Sequence, residues 1–161
     1  MDRVTGVATF AAALGCALMA GLFFAFSAFM MTALGRLPAP QGIAAMQSIN
    51  VAILNPVFGV VFFVASAGSS FLAVMAPFAW DQPGAGWRLL GGLLLVVGVF
   101  VVTVGFNVPL NNELDAADPG SVGGADLWRR YLTTWTAWNH VRTVAALGAT
   151  ASLIESLRHG G

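Results

Sequence analysis

Apolar residues run almost unbroken through four stretches of the chain: Val4 to Leu34, Ile53 to Pro77, Trp87 to about Asn107, and Leu132 to about Leu157. Each is long enough, as a helix rising 1.5 Å per residue, to cross a hydrocarbon core of about 30 Å. The pattern predicts an all-α fold, a bundle of four transmembrane helices at about 4–34, 53–77, 87–107 and 132–157, in one integral membrane domain over 1–161. An even number of crossings puts both termini on one side, the near side. Arg36 to Asn50 and Val108 to Tyr131 then belong to the far side, and Trp80 to Gly86 is a short near-side turn. The first stretch carries no charge and exceeds the roughly 7–15 apolar residues of a signal-peptide core, so it is expected to be a retained helix.

The polar interruptions refine this picture. After the turn Leu37-Pro38-Ala39-Pro40-Gln41-Gly42, Ile43, Met46 and Ile49 recur at threes, which predicts a short interfacial helix with Gln41, Gln47 and Ser48 facing water. Asn55 followed by Pro56 fits the cap and first position of the second span, while Asn50 has no such explanation. Small residues at Ala13, Ala17 and Gly21, and again at Ser66, Gly68, Ser69 and Ser70, suit close helix packing. Phe23, Phe24, Phe26 and Phe29 read first as packing or lipid contacts, and Ser27 among them as bonded to its own backbone. Pro109 removes a backbone donor and crowds the turn before it, so the third helix is expected to break there. Asn107, Asn111, Asn112 and Glu113 then read equally as a lining or as a polar helix end.

The fourth stretch is the unusual one. Val144 to Ile154 covers only about 16 Å as a helix, so Trp135 to Thr143 must supply the rest of the span. That places His140 and Arg142 at membrane depth, where an arginine costs about 2.5–3.5 kcal/mol on insertion scales and needs a protein or wet environment. Trp135, Asn139 and Arg142 fall on one helical stripe; Thr133, Thr136 and His140 fall on the next. Because successive helices alternate in direction, Asn50 and Asn55, Asn107 and Asn111, and His140 and Arg142 all reach the far-side half. This convergence predicts an intramembrane polar pocket there.

Composition narrows the chemistry. The 161 residues are 58% hydrophobic and only 9% charged, which is far from a soluble domain and fits an integral membrane protein. The seven basic residues, all arginine, balance seven acidic ones, so no basic field attracts nucleic acid. Arg3, Arg88 and Arg158 lie on the near side against Arg36, Arg129 and Arg130 on the far side. With the amino terminus counted, the near side is expected in the cytoplasm, and the plasma membrane is the membrane expected. Arg129 and Arg130 are expected to meet the acidic, Gly-rich loop from Asp115 to Asp126 or lipid phosphate. The lone cysteine, Cys16, forms no intrachain disulfide and reads as a core residue. With His159 in the tail, His140 cannot build a three-histidine zinc site or a bis-histidine haem within one chain. Glu113 with His140 would hold a metal only with outside ligands, so neither metal nor organic cofactor is expected. No phosphate loop and no nucleophile motif is present.

What remains is a base and a cation. A neutral imidazole at His140 takes a proton, and Arg142 stabilises the anion that results. Asn50, Asn55, Asn107, Asn111 and Asn139, with Trp135 and Trp138, would bind a flat aromatic carbonyl compound by amide hydrogen bonds and stacking. The competing readings are a non-catalytic binding protein or small permease for a quinone-like molecule, and a structural subunit in which Arg142 pairs with Glu113 or a helix carbonyl. The small-residue stripes serve either internal packing or a homo-oligomer.

The segments Met46-Gln47-Ser48-Ile49-Asn50, Asn55-Pro56-Val57-Phe58, Phe106-Asn107-Val108-Pro109-Leu110-Asn111 and Trp135-Thr136-Ala137-Trp138-Asn139-His140-Val141-Arg142-Thr143 resemble the DUF1772 family of small four-helix membrane proteins, which includes anthrone oxygenases. The resemblance implies oxidation of an activated aromatic CH2 to a carbonyl by O2 without a recognised organic cofactor. On residue chemistry, His140 would be the base, Arg142 the partner of the oxyanion, and Asn107, Asn111 and Asn139 the orienting groups.

Overall fold

The computed structural model describes residues 2–160. All regular structure among them is helical, in five helices: α1 Arg3–Gly35, α2 Ala39–Ile53, α3 Pro56–Ala79, α4 Ala85–Asp115 and α5 Gly124–Gly160. The long helices close a ring in which α1 and α4 each pack against both α3 and α5. α1, α3 and α4 are long and apolar enough to cross a membrane. α5 has the length, at 37 residues, but not the uniform hydropathy, because its first half carries Arg129, Arg130, Asn139, His140 and Arg142. Length and composition thus mark three of the four expected spans.

The outer surface explains itself as a lipid-facing one. Val4, Val7, Phe10, Leu14 and Leu18 on α1, and Val57, Val60, Phe63, Val74 and Phe78 on α3, are all exposed. Apolar area on this scale has no counterpart on a water-soluble monomer. Inside, the half of the bundle nearer the termini is packed with small residues, Ala12, Cys16, Ala65, Ala146 and Ala149 among them. Backbones approach closely there: a Cβ on Gly98 of α4 would stand 2.4 Å from the Cβ of Ala145 on α5. On α1 the packing stripe is Ala12, Cys16, Met19, Ala20 and Phe23. Ala17 and Gly21, expected in it, are exposed, because the helix turns its bulkier Met19 and Phe23 toward α3 and α5.

Three details at the end away from the termini depart from expectation. α2 is longer than predicted, and Gln47 does not face water. Its amide donates to the carbonyls of Leu114 and Ala117, at 2.9 and 3.0 Å, where α4 ends and its last carbonyls lack helical partners. α4 does not break at Pro109 but continues to Asp115. Two π turns, Val96–Val101 and Thr103–Asn107, precede the proline, and the Val108 N–H reaches five residues back to the Thr103 carbonyl. This widened turn gives the Pro109 ring the room that a regular α-helix denies it. Arg129 pairs with Asp126 of the acidic loop, as expected, whereas Arg130 pairs with Glu113, which precedes that loop in the last turns of α4.

Candidate functional site

The site is assembled where π turns in α1 and α4 face the polar stripe of α5. In α1 the π turn is Phe26–Met30. Just before it, the Phe23 carbonyl accepts a hydrogen bond from Asn139 Nδ2 at 2.7 Å, and Ser27 Oγ accepts a second at 2.8 Å. Since a carbonyl only accepts, these contacts fix which way the Asn139 amide points. Its Oδ1 is turned to Arg142, whose Nη2 donates to it at 2.8 Å.

Arg142 is 5% exposed, yet it has no carboxylate partner among the described residues. Besides Asn139 it reaches Thr103 Oγ1 from Nη1 at 3.4 Å, and its guanidinium carbon lies 4.4 Å from the Phe23 ring centre and 5.0 Å from that of Trp135. Its Nε is buried with no hydrogen-bond partner among the described residues. Each ring contact supplies about 0.5–2 kcal/mol, which offsets the transfer of the cation out of water without neutralising it. A net positive charge therefore stands in a low-dielectric interior.

That charge borders a cavity of about 120 Å³ whose walls come from every helix, including Phe23, Phe26, Asn50, Thr103, Asn111 and Trp135. Trp135 is held by its Nε1, which donates to Asn111 Oδ1 at 2.7 Å, and Tyr131 OH donates to the same oxygen at 2.8 Å. With that oxygen doubly occupied, the amide of Asn111 has only N–H groups left to offer the cavity. Asn50 Nδ2 donates to Asp115 Oδ1 at 3.2 Å. Asn107, one turn before Asn111, is buried at 1% exposure and donates to the Trp135 carbonyl at 3.3 Å. Ile53 and Leu54, where α2 gives way to α3, form the mouth, and Leu54 is 80% exposed.

Of the residues singled out from the sequence, Asn50, Asn107, Asn111, Trp135, Asn139 and Arg142 are brought together. Asn55, Trp138 and His140 are not. Asn55 is exposed and caps α3, accepting from the Phe58 N–H at 3.0 Å, with Pro56 in the first turn. Trp138 stacks on Phe106 at 3.7 Å on the flank of the bundle. His140 is exposed and lines an outward apolar groove with Leu90, Leu94, Val97 and Val144. It precedes Arg142 by two residues, about 200° around a helix, so only one of the two can face inward. Glu113, engaged with Arg130, is likewise not part of the cavity wall.

Thr103 was not among the residues expected at the site, Phe23 and Phe26 were expected to be packing or lipid contacts, and Ser27 was expected to bond its own backbone. Thr103, Asn107 and Asn111 recur at fours within an apolar run, a signal that would have found the threonine. No comparable signal marks Ser27, whose partner lies more than a hundred positions away. Among the described residues, no three His, Cys, Asp or Glu side chains lie close enough to hold a metal ion.

A family model described as anthrone oxygenase matches residues 46–152, from the middle of α2 into the last turns of α5. No curated protein matches the chain, and no solved structure does.

Proposed function

The chain belongs to the anthrone oxygenase family, and from that premise we propose that it oxidises an activated aromatic CH2 group to a carbonyl with O2, using no organic cofactor. The observation that carries this reading is Arg142, a buried guanidinium with only neutral partners and an unpartnered Nε, in the wall of a cavity. Such a group favours an anionic ligand, because the ligand supplies the countercharge that the protein withholds. An anthrone that loses a proton from its CH2 becomes an aromatic oxyanion whose carbon is rich enough in electrons to react with O2.

The balance is simple. The carbanion carbon gives electrons to O2 and forms a C–O bond; the resulting hydroperoxide loses its remaining C–H proton and hydroxide as the O–O bond breaks. One O2 yields one new carbonyl and one water. Arg142 holds the oxyanion, the Asn111 N–H groups hold a second oxygen, and Phe23, Phe26 and Trp135 hold the rings. His140, facing away, has no part in this, and the proton leaves through water at the mouth. The cavity is smaller than the roughly 300 Å³ or more of a typical ligand site, so binding moves Ile53 and Leu54, at the junction of α2 and α3, aside.

In this reading α5 is the fourth span, its polar stripe turned inward and Val144, Leu147 and Ile154 turned to lipid. The termini lie in the cytoplasm of a plasma-membrane protein. The test is oxygen uptake by the purified protein with anthrone and hydroxylated anthrones, expected at one O2 per quinone formed. Binding of these compounds with no oxygen consumed would instead establish a carrier of lipophilic anions.

A further inference from the structure

The family match begins at residue 46, so α1 lies wholly outside it, yet α1 holds the far end of a hydrogen-bond chain that reaches the guanidinium. Thr143 Oγ1 donates to the Asn139 carbonyl at 2.8 Å. Its proton is thereby used, so in the 3.0 Å contact between the two hydroxyls Ser27 is the donor and Thr143 the acceptor. Asn139 Nδ2 donates to Ser27 Oγ and to the Phe23 carbonyl, which leaves Asn139 Oδ1 facing Arg142. Every donor in this loop has one assignment. Ser27 lies within the π turn Phe26–Met30, where α1 departs from regular geometry, and such turns recur at functional sites.

We infer that Ser27 is a positioning residue of the oxyanion site: through Asn139 it aims the Arg142 guanidinium into the cavity, making α1 part of the catalytic apparatus. This rests on the anion-binding reading of Arg142 given above. Without the Ser27 oxygen, one Asn139 N–H is left buried and unsatisfied. The amide is then held by the Phe23 carbonyl alone, and the Asn139 Oδ1 that accepts from Arg142 is less firmly placed. Few ionisable groups surround that guanidinium. α2 and α3 contain none, α1 contains only Arg3 and Cys16, the titratable group that interacts with the guanidinium is Tyr131 on α5, with Asp115 at the end of α4 acting on Tyr131 in turn, and His140, two residues away on α5, faces the outer groove.

Two measurements on the full chain in detergent or nanodiscs test the inference. The first is the pH profile of anthrone oxidation. A cation at the oxyanion lowers the ligand's ionisation pKa, so the acidic limb of the wild-type profile lies below the pKa of the free compound. In Ser27→Ala that limb moves up towards the free value and kcat falls roughly 5- to 30-fold, as for loss of one buried hydrogen bond. Ser27→Thr, which keeps the hydroxyl, restores both. A merely structural serine would reduce the yield of folded protein and leave the limb in place, and that outcome overturns the inference.

The second measurement is independent of turnover. The ultraviolet spectrum of 2-naphthol reports its ionisation, and its pKa when bound is compared in wild type, Ser27→Ala and Arg142→Gln. An intermediate value in Ser27→Ala supports positioning even if no oxygen is consumed, in which case the oxygenase reading alone fails. Equal values in wild type and Ser27→Ala overturn the role of Ser27. An unshifted pKa in wild type removes the anion site itself.

Discussion

The bundle buries two arginines, one in the first turn of α4 and one midway along α5, and their surroundings differ. Arg88 of α4, 2% exposed, donates from Nη1 to the Pro83 carbonyl at 3.3 Å and to Ser156 Oγ at 3.4 Å. It sits over the turn where Gly84 adopts φ +79°, a conformation that suits glycine and lets the turn fold against Ser156. Arg88 is not part of the wall of the cavity that Arg142 borders. Arg142 has aromatic rings, an amide and a hydroxyl around it, an unused Nε–H, and a void in front of it. Burial of a cation is therefore not by itself the mark of a site. What separates the two is the cavity that lies in front of Arg142.

The same contrast runs through the packing. Towards the termini, alanines, glycines and a cysteine let the helices close up. Towards the other end, Phe26, Trp128, Tyr131 and Trp135 hold them apart. Large rings with fixed stacking leave space between them that small aliphatic side chains do not.

The contrast is open to direct attack. The largest effect is expected for Arg142→Gln, which removes the charge and keeps the approximate shape: turnover of anthrones should fall about 100- to 1000-fold, measured as oxygen uptake per folded protein. Retained turnover would show that the cation is structural, like Arg88. Next in size, Arg88→Met should lower the melting temperature by about 2–10 °C through the loss of buried hydrogen bonds while the folded fraction keeps its specific activity. A selective loss of activity would make the two arginines equivalent. The smallest effect belongs to His140→Ala. With the imidazole on the outer groove, the rate should change by no more than roughly twofold, and abolished turnover would return the histidine to the mechanism.

Much of this was legible in the one-dimensional pattern. Hydropathy alone determined an all-helical membrane protein, because backbone amides in lipid have to be satisfied within a helix and apolar runs of that length have no other stable place. Alternation of the helices determined that Asn50, Asn107, Asn111 and Arg142 share one end. Asn55 with Pro56 announced a helix start by a local rule, and the structure places it there as a cap.

Only the tertiary structure decided which face of α5 looks inward. His140 and Arg142 occupy neighbouring polar stripes of one helix, and periodicity cannot rank two polar stripes; the π turn of α1 and the threonine of α4 do so by offering partners to one of them. Tertiary context likewise carried α4 through Pro109 on a widened turn, where the local rule foretold a break. Ser27 and Thr143 meet across more than a hundred residues of chain, and no local pattern encodes a contact made only when separate helices pack.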